Sequence, residues 1–219
     1  MKKDAVRLAF DHIKNRIITF QSLPGVKIFD EEVARVLGTS RTPVRESLNR
    51  LVELGLVEAR KNRGFTVKIF SRKEIEDLYV LRENLECLSV KLAIQYLTKE
   101  KTRTLKSLLL SYPSVMKSRD LALFNDVDEK FHDFIARYSE NKVLYDTLSN
   151  LKDKIRIVRS YEHHRPGSFH ETKREHQEIL GHMVKRETGK DQKAMSSHIL
   201  NSMKVVVNTI PEHNEKGQD

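Results

Sequence analysis

The strongest constraint on the fold is the order of elements predicted for residues 30–69, where two short helices precede a hairpin. Apolar residues at helical spacing predict a first helix over Asp30–Leu37, and Gly38 predicts a tight turn after it. A second helix begins at Ser40, a residue type that often caps helices, and carries Pro43 in its first turn. This order is typical of a helix-turn-helix, in which the second helix enters the major groove of DNA.

The second helix carries two arginines, Arg41 and Arg45, which lie one turn apart on the same face. Acidic residues are usual in the first turn of a helix because they complement its dipole, so a basic first turn favours an anionic partner. We therefore predict that Arg41, Thr42 and Arg45, with help from Ser40, contact bases and phosphates of operator DNA.

Two short segments that alternate apolar and polar residues follow this helix. Val57–Arg60 and Phe65–Ile69 read as strands, and Lys61–Gly64 joins them as a basic turn that contains glycine. This hairpin is predicted to be a wing whose tip residues, Arg63 and Gly64, reach phosphates or the adjacent minor groove. The alternative is a small αβ unit in which the arginines are only solvated.

Over residues 5–70 the sequence resembles the winged-helix domain of GntR-type transcription regulators. The positions that carry the resemblance are Leu23-Pro24-Gly25, Glu31-Glu32, Leu37-Gly38, Ser40–Glu46, Leu51, Gly55–Val57 and Asn62–Gly64. The resemblance implies a dimer that reads a palindromic operator with half-sites of a GT…AC type. Some FadR-type members have an arginine near the position of Glu31, so the resemblance does not extend to that contact.

Positive charge is concentrated in the same part of the chain. Residues 1–70 carry 14 basic and 8 acidic side chains, a net charge of +6, whereas residues 71–219 carry a net charge of +3. Such a basic segment is expected of a domain that binds a phosphate backbone. Because 219 residues suit two modest domains, we predict a DNA-binding domain over residues 1–70, a second domain over residues 71–210 and a flexible tail over residues 211–219.

Cysteine usage and hydropathy exclude several classes of protein. Cys87 is the single cysteine of the sequence, so it can form neither a disulfide framework nor a zinc ribbon, and its apolar helical neighbours predict core packing. The sequence has no signal-like N-terminal run and no stretch of about 18 apolar residues. We therefore expect a cytoplasmic protein without a membrane partner.

From Ser71 onward the strand signals disappear. Ser71 and Glu74 have the spacing of a capping box. Helical patterns then cover about 71–97, 98–113, 120–138, 142–161, 169–186 and 190–209. The predicted fold class is therefore mostly α, with an N-terminal winged helix-turn-helix followed by an antiparallel all-α bundle of about six helices.

Four residues of this bundle could bind a metal ion. Asp128 and His132 are four residues apart on one predicted helix, and His176 and His198 lie on two later helices beside apolar residues. One carboxylate and three imidazoles suit a divalent ion, with zinc or nickel favoured and iron or manganese possible. The alternative from the residues alone is that each histidine is a hydrogen-bonded core or surface residue.

Asp128–His132, Glu175-His176 and His198 resemble, in their order, the metal-binding pattern of the FCD ligand-sensing domain, and the resemblance covers residues 71–210. This domain is common in the FadR branch of the GntR regulators, and six helices resemble its VanR-like subgroup. The resemblance implies a metal site and an organic-acid effector. It also implies an effector contact by Arg82, whose alternative is a surface ion pair with Glu86. Tyr79 and Arg156 are further candidates for the effector site.

Taken together, these patterns predict a metabolite-responsive transcription regulator that is not an enzyme. The partners expected are operator DNA, a small carboxylate metabolite and a second copy of the chain, because the apolar helix Ile75–Leu97 favours a two-fold interface. Two alternatives remain open. One is a metal-dependent enzyme with a DNA-binding head, and the other is a regulator whose metal is purely structural.

Overall fold

The computed structural model of the chain describes residues 2–60, 64–118, 120–159, 161 and 168–210. By their internal contacts these residues form two compact units, Met1–Phe70 with Asp153–Ser160, and Ser71–Lys152 with Tyr161–Asp219. Residues 153–159 thus pack with the N-terminal unit, although their helical pattern predicted that they belong to the second domain. The predicted tail, residues 211–219, lies outside the described residues.

The N-terminal unit is a winged helix-turn-helix, as predicted. Its elements are α1 (Lys2–Ile18), β1 (Lys27–Ile28), α2 (Asp30–Val36), α3 (Arg41–Glu53), β2 (Val57–Arg60) and β3 (Gly64–Val67). The strands form an antiparallel sheet in the order β1-β3-β2, with Ile28 opposite Phe65 and Ala59 also opposite Phe65. The two-residue strand β1 was not predicted.

The helices of this unit pack through one apolar core. Its buried residues include Val6, Ala9, Ile13 and Ile17 of α1, Val44, Leu48 and Leu51 of α3, and Leu56, Phe65 and Val67 after them. A buried hydroxyl adds a polar link, because Ser47 Oγ donates to the Val6 carbonyl at 2.6 Å. The buried face of α3 therefore points toward α1, and its other face stays exposed.

Glycine and serine shape the ends of α3. Gly38 adopts φ +61 in the turn before the helix, a left-handed conformation that glycine adopts without strain. Ser40 occupies the N-cap position, but its hydroxyl makes no capping hydrogen bond. At the other end Gly55 adopts φ +70, and Leu56 N–H donates to the Leu51 carbonyl at 2.9 Å, which closes the helix.

The second unit is helical. Its elements are α4 (Arg72–Ala93), a short 3-10 turn (Ile94–Tyr96), α5 (Lys99–Leu110), α6 (Tyr112–Ser118), α7 (Leu121–Tyr138), the first part of α8 (Lys142–Arg159), α9 (Ser168–Lys185) and α10 (Lys190–Thr209). The capping box is confirmed, since Ser71 N–H donates to Glu74 Oε2 at 2.9 Å and Glu74 N–H donates to Ser71 Oγ at 3.2 Å.

The described residues of 71–210 contain seven α-helices where the sequence predicts about six. The additional helix arises because the second predicted pattern ends at Leu110, and α6 then starts at Tyr112 with Pro113 in its first turn. A proline is tolerated there because the first turn of a helix needs no N–H donor. The number of helices alone therefore does not decide whether the second unit resembles the VanR-like subgroup.

Three helices of the second unit carry the predicted metal ligands. Helix α4 packs against both α7 and α10, and α10 also packs against α9. Large buried side chains between the helices include Tyr79, Tyr112, Phe124, Phe131, Ile135, Ile179 and Met195.

Cys87 of α4 is partly buried and forms no disulfide, and burial together with nearby carboxylates raises the pKa of its thiol to about 11. Among the described residues, no helix has the length and apolar character to cross a bilayer.

Candidate metal centre and nucleic-acid interface

The structure brings the four predicted metal ligands together inside the second unit. Asp128 and His132 of α7, His176 of α9 and His198 of α10 are all buried, and each offers one ligand atom within 4.8 Å of the others. The Nε2 atom of His198 lies 3.2 Å from the Nε2 atoms of both His132 and His176. The Asp128 carboxylate completes the set, with Oδ1 3.5 Å from His176 Nε2.

These separations fit a shared ion. Zinc–nitrogen distances are about 2.0–2.1 Å, so two nitrogen ligands of one tetrahedral ion stand about 3.3 Å apart. The Nε2 atoms of the cluster already have nearly this spacing, at 3.2 Å for two of the pairs. Three imidazoles and one carboxylate also match the nitrogen and oxygen ligands that divalent transition metals prefer.

The outer nitrogen of each imidazole is occupied by a second group. His198 Nδ1 lies 2.8 Å from Glu175 Oε2, His176 Nδ1 lies 2.8 Å from the Tyr112 hydroxyl, and His132 Nδ1 lies 3.1 Å from Glu86 Oε1. The hydrogen bonds of His198 to Glu175 and of His176 to Tyr112 orient these two rings and constrain their tautomers. Glu86 lies within ion-pair distance of His132, although His132 Nδ1 forms no hydrogen bond among the described residues. All three rings present Nε2 to the cluster.

The contact between His198 and Glu175 favours one tautomer of His198. Burial raises the pKa of Glu175, but hydrogen bonds from His198 and Asn201 outweigh it, so the pKa lies below its usual value. Burial lowers the pKa of His198, with the nearby His132 acting in the same direction. A neutral imidazole beside a carboxylate donates through Nδ1–H, which leaves the lone pair of Nε2 directed into the cluster.

Arg82 lies next to this cluster rather than on the surface. Its side chain is buried, its Nε atom lies 3.5 Å from Glu86 Oε1, and its guanidinium stands 5.7 Å from the centre of the Tyr79 ring. Because Glu86 also contacts His132, the ion pair predicted as the alternative for Arg82 is itself part of the surroundings of the cluster. Tyr79 is buried, and its hydroxyl lies 3.3 Å from Ser202 Oγ.

Arg156 is placed elsewhere. Its Nε donates to the Ile18 carbonyl at 2.6 Å, and both residues belong to the N-terminal unit. The reason is that the end of α8 packs in that unit, which the helical periodicity of residues 142–161 does not reveal. We therefore leave Arg156 out of the effector site proposed below.

Several residues that lie on the helices of the cluster, or that are hydrogen-bonded to it, were not predicted from the sequence. Tyr112 and Asn125 were not singled out, and Glu175 was noted only as the neighbour of His176. Asn125 is buried and precedes Asp128 by three residues on α7, so both share one face of the helix. Neither amide atom of Asn125 has a hydrogen-bond partner among the described residues. The spacing from Asp128 was the signal that could have identified it.

The predicted DNA-contacting residues occupy the exposed face of α3. Ser40, Arg41, Thr42 and Arg45 are exposed, whereas Val44 and Leu48 of the same helix are buried. Gly64 begins β3 and is exposed at the wing. Arg63 lies outside the described residues. The arrangement exposes hydroxyl and guanidinium groups on one face, where a nucleic acid can reach them.

Comparison with known proteins agrees with both units. The family "Bacterial regulatory proteins, gntR family" matches residues 6–67, and the family "FCD domain" matches residues 77–201. Among curated relatives, the transcriptional repressor RspR of Escherichia coli K12 is 28% identical over 179 residues, which are 80% of this chain and 77% of that protein. The Nta operon transcriptional regulator of Aminobacter aminovorans is 32% identical over 142 residues, which are 65% of this chain and 67% of that protein.

Solved structures have the same fold. McbR/YncC of E. coli superimposes with a TM-score of 0.80 at 20% identity and covers 93% of this chain and 97% of that chain. A GntR regulator from Rhodococcus sp. RHA1 also gives a TM-score of 0.80 at 19% identity, with 95% of this chain and 100% of that chain covered.

The FCD match is consistent with the FadR branch and its VanR-like subgroup. The curated relatives are named as transcription regulators rather than as enzymes, so the alternative of a metal-dependent enzyme is dropped. The chain belongs to the GntR family, and it is a transcription regulator with a DNA-binding domain followed by an FCD effector domain.

Proposed function

We propose that the protein is a metabolite-responsive regulator that binds a palindromic operator as a dimer and senses an organic acid at a metal centre in its FCD domain. The observation that carries this proposal is the convergence of four buried ligand atoms within 4.8 Å. Each of the three imidazoles meets its outer partner through Nδ1. A set of unrelated core histidines would not be expected to direct all three Nε2 atoms at one point.

Zinc or nickel is the favoured ion, with iron or manganese also compatible with one carboxylate and three imidazoles. A bound divalent ion would supply an electrophilic centre to which a carboxylate oxygen can bind. An ion that accepts more than four ligands would leave room for such a carboxylate beside the four protein ligands. Asp128 and the three histidines would hold it, and Glu86, Tyr112 and Glu175 would orient the imidazoles.

Arg82 and Asn125 are the residues proposed to recognise the rest of the effector. Arg82 is linked to the cluster through Glu86, and its guanidinium can bind a carboxylate by two parallel hydrogen bonds. Asn125 buries an amide without partners among the described residues, and an unpaired buried amide costs free energy until a ligand satisfies it. We therefore infer a small acid with a second polar group, and we keep Tyr79 as a lining residue.

The effector proposal predicts a result for metal-loaded protein titrated with acetate, succinate, malate and citrate. At least one acid should raise the melting temperature by several degrees, because a ligand at about 100 times its Kd adds about 2.7 kcal/mol of stability. The same acid should change affinity for operator DNA. Asn125→Leu should retain the metal but lose most of the stabilisation by the acid, measured by scanning fluorimetry and elemental analysis.

The same experiment distinguishes a metal that binds an effector from a metal that is purely structural. If no acid changes either the melting temperature or the operator affinity, while a chelator abolishes DNA binding, the metal is structural and the sensing proposal is wrong. An acid that stabilises the Asn125→Leu variant as much as the unaltered protein would instead remove Asn125 from the effector site.

Dimer formation is proposed through the exposed face of α4. Val90, Ala93 and Ile94 belong to the apolar segment Ile75–Leu97, but all three are buried within the second unit and are not available to a partner. Leu81 and Leu88, which are two turns apart on one face, are 46% and 40% exposed. Large apolar side chains exposed together favour association with another molecule.

We predict that Leu81→Asp combined with Leu88→Asp converts the dimer into a monomer, because two charges would have to be buried in the interface. Light scattering at micromolar concentration measures the change. Leu110→Asp is the matched control, since Leu110 is 79% exposed on α5 of the same unit and should leave the dimer intact. A wild-type protein that is monomeric in this measurement contradicts the proposal.

A further inference from the structure

Asp30 lies between the two arginines that are proposed to contact DNA. Its Oδ2 atom accepts a hydrogen bond from Arg45 Nη1 at 3.1 Å and one from Arg41 Nη2 at 3.2 Å, and its Oδ1 atom also lies 3.2 Å from Arg41 Nη2. The Asp30 side chain is only 13% exposed, whereas those of Arg41 and Arg45 are 53% and 56% exposed. Asp30 therefore contacts both exposed guanidiniums, while Glu31 contacts only that of Arg41, at 2.5 Å.

The position of Asp30 is fixed by the sheet of the wing. Asp30 begins α2 immediately after β1, where Ile28 pairs with Phe65 of β3. The Phe65 ring also lies 5.5 Å from the guanidinium carbon of Arg45, so this side chain is contacted by α2 and by the wing. Burial raises the pKa of Asp30, but the hydrogen bonds from Arg45 and Arg41 outweigh this effect. The pKa therefore lies below its usual value, and the group remains a carboxylate.

A free arginine side chain samples many rotamers and loses that freedom when it binds a base. A side chain already held in one orientation loses less on binding, which raises affinity for the partner that needs this orientation. We propose that Asp30 is a positioning residue that holds Arg41 and Arg45 ready to read operator bases. This inference rests on the proposed DNA contacts of the two arginines.

Simple electrostatics gives the opposite expectation. A carboxylate close to a polyanion repels it, and an acid that binds arginines competes with phosphates for them. If repulsion or competition dominated, removal of the Asp30 charge would strengthen binding to every DNA sequence. If Asp30 positions the arginines, its removal weakens binding to the operator and spares binding to unrelated DNA. The two hypotheses therefore predict opposite changes in operator affinity when Asp30 loses its charge.

The test compares Asp30→Asn with Glu32→Gln. Glu32 is exposed in the same first turn of α2, so its neutralisation removes the same charge from the same helix end. Among the described residues, neither Arg41 nor Arg45 has Glu32 as an ion-pair partner. The probes are the duplex that wild-type protein enriches from a randomised library and a scrambled duplex of equal length, measured by fluorescence anisotropy at about 150 mM salt.

Asp30→Asn should weaken binding to the enriched duplex about tenfold, which is the discrimination that one lost base contact produces. Its affinity for the scrambled duplex should stay equal or rise. Glu32→Gln should leave the ratio of the two affinities unchanged. In an Arg45→Ala background the effect of Asp30→Asn should shrink, because one of the two side chains it positions is absent.

An unchanged affinity ratio for Asp30→Asn, or tighter binding to the enriched duplex, would overturn the inference. A parallel loss on both duplexes with a lower melting temperature would also overturn it, since Asp30 would then serve only the stability of α2. The proposed DNA contacts have their own control. If Arg45→Ala binds both duplexes as wild type does, those contacts fail and Asp30 fails with them, whereas an effect of Arg45→Ala alone refutes only the role of Asp30.

Discussion

Replacement of His198 by alanine is expected to remove most of the bound divalent metal and to lower the melting temperature of the metal-loaded protein. His198 is the central residue of the cluster, because its Nε2 atom lies 3.2 Å from the Nε2 atoms of both His132 and His176. Without it, α10 contributes no ligand among the four residues. Mutation of residues that merely support a ligand lowers metal affinity by about 10–100-fold, so loss of the ligand itself should exceed that range.

The measurement that isolates the metal is the difference in melting temperature between metal-loaded and chelator-treated protein, combined with elemental analysis. A metal that binds only the folded state adds stability by mass action, and this difference should largely vanish in His198→Ala and in His176→Ala. His182→Ala is the matched control, because His182 lies on α9 but contacts Glu187 at 2.6 Å rather than the cluster. Full metal content and an unchanged difference in both cluster variants would mean that the histidines are ordinary core residues.

Replacement of Arg45 by alanine is expected to weaken binding to the operator by about 1–3 kcal/mol, the range for a side chain that reads a base pair by two hydrogen bonds. Arg50→Ala is the control, since Arg50 is on the same helix, is similarly exposed and pairs with Glu46. It removes the same charge and should cause only a smaller, sequence-independent loss. The predicted wing residue Arg63, when changed to alanine, should weaken binding more evenly across sequences.

Competition anisotropy with operator and scrambled duplexes measures these effects at one salt concentration. Equal losses for Arg45→Ala and Arg50→Ala on both duplexes would show that α3 binds DNA only through net charge. Such a result would remove Ser40, Arg41, Thr42 and Arg45 from direct readout while leaving the membership of the family unaffected.

The sequence predicts those parts of the molecule whose signals are local. The α3 pattern, the hairpin and the capping box at Ser71 each depend on neighbours within a few residues, and the structure contains all of them. The four cluster residues could be selected because Asp128 and His132 have helical spacing and the remaining histidines follow in the order of a known pattern.

Features that depend on long-range packing were not predictable in this way. Tyr112 reaches His176 across 64 residues, and no periodicity connects a tyrosine on α6 to a histidine on α9. Strand β1 spans two residues, too few for alternation to be recognised. Arg41 and Arg45 could be identified as exposed cations, but their shared partner Asp30 lies 11 and 15 residues away.

The end of α8 has a consequence for how this protein can be dissected. Asp153 pairs with Lys14 at 2.6 Å, Arg156 bonds the Ile18 carbonyl, and Ile157 and Val158 are buried in the N-terminal unit. A fragment cut at residue 70 would lack these side chains and expose part of the apolar surface that they cover. The N-terminal unit is therefore incomplete when it is cut at residue 70. A chimaeric protein that uses it as the DNA-binding domain should also include residues 153–159 of α8.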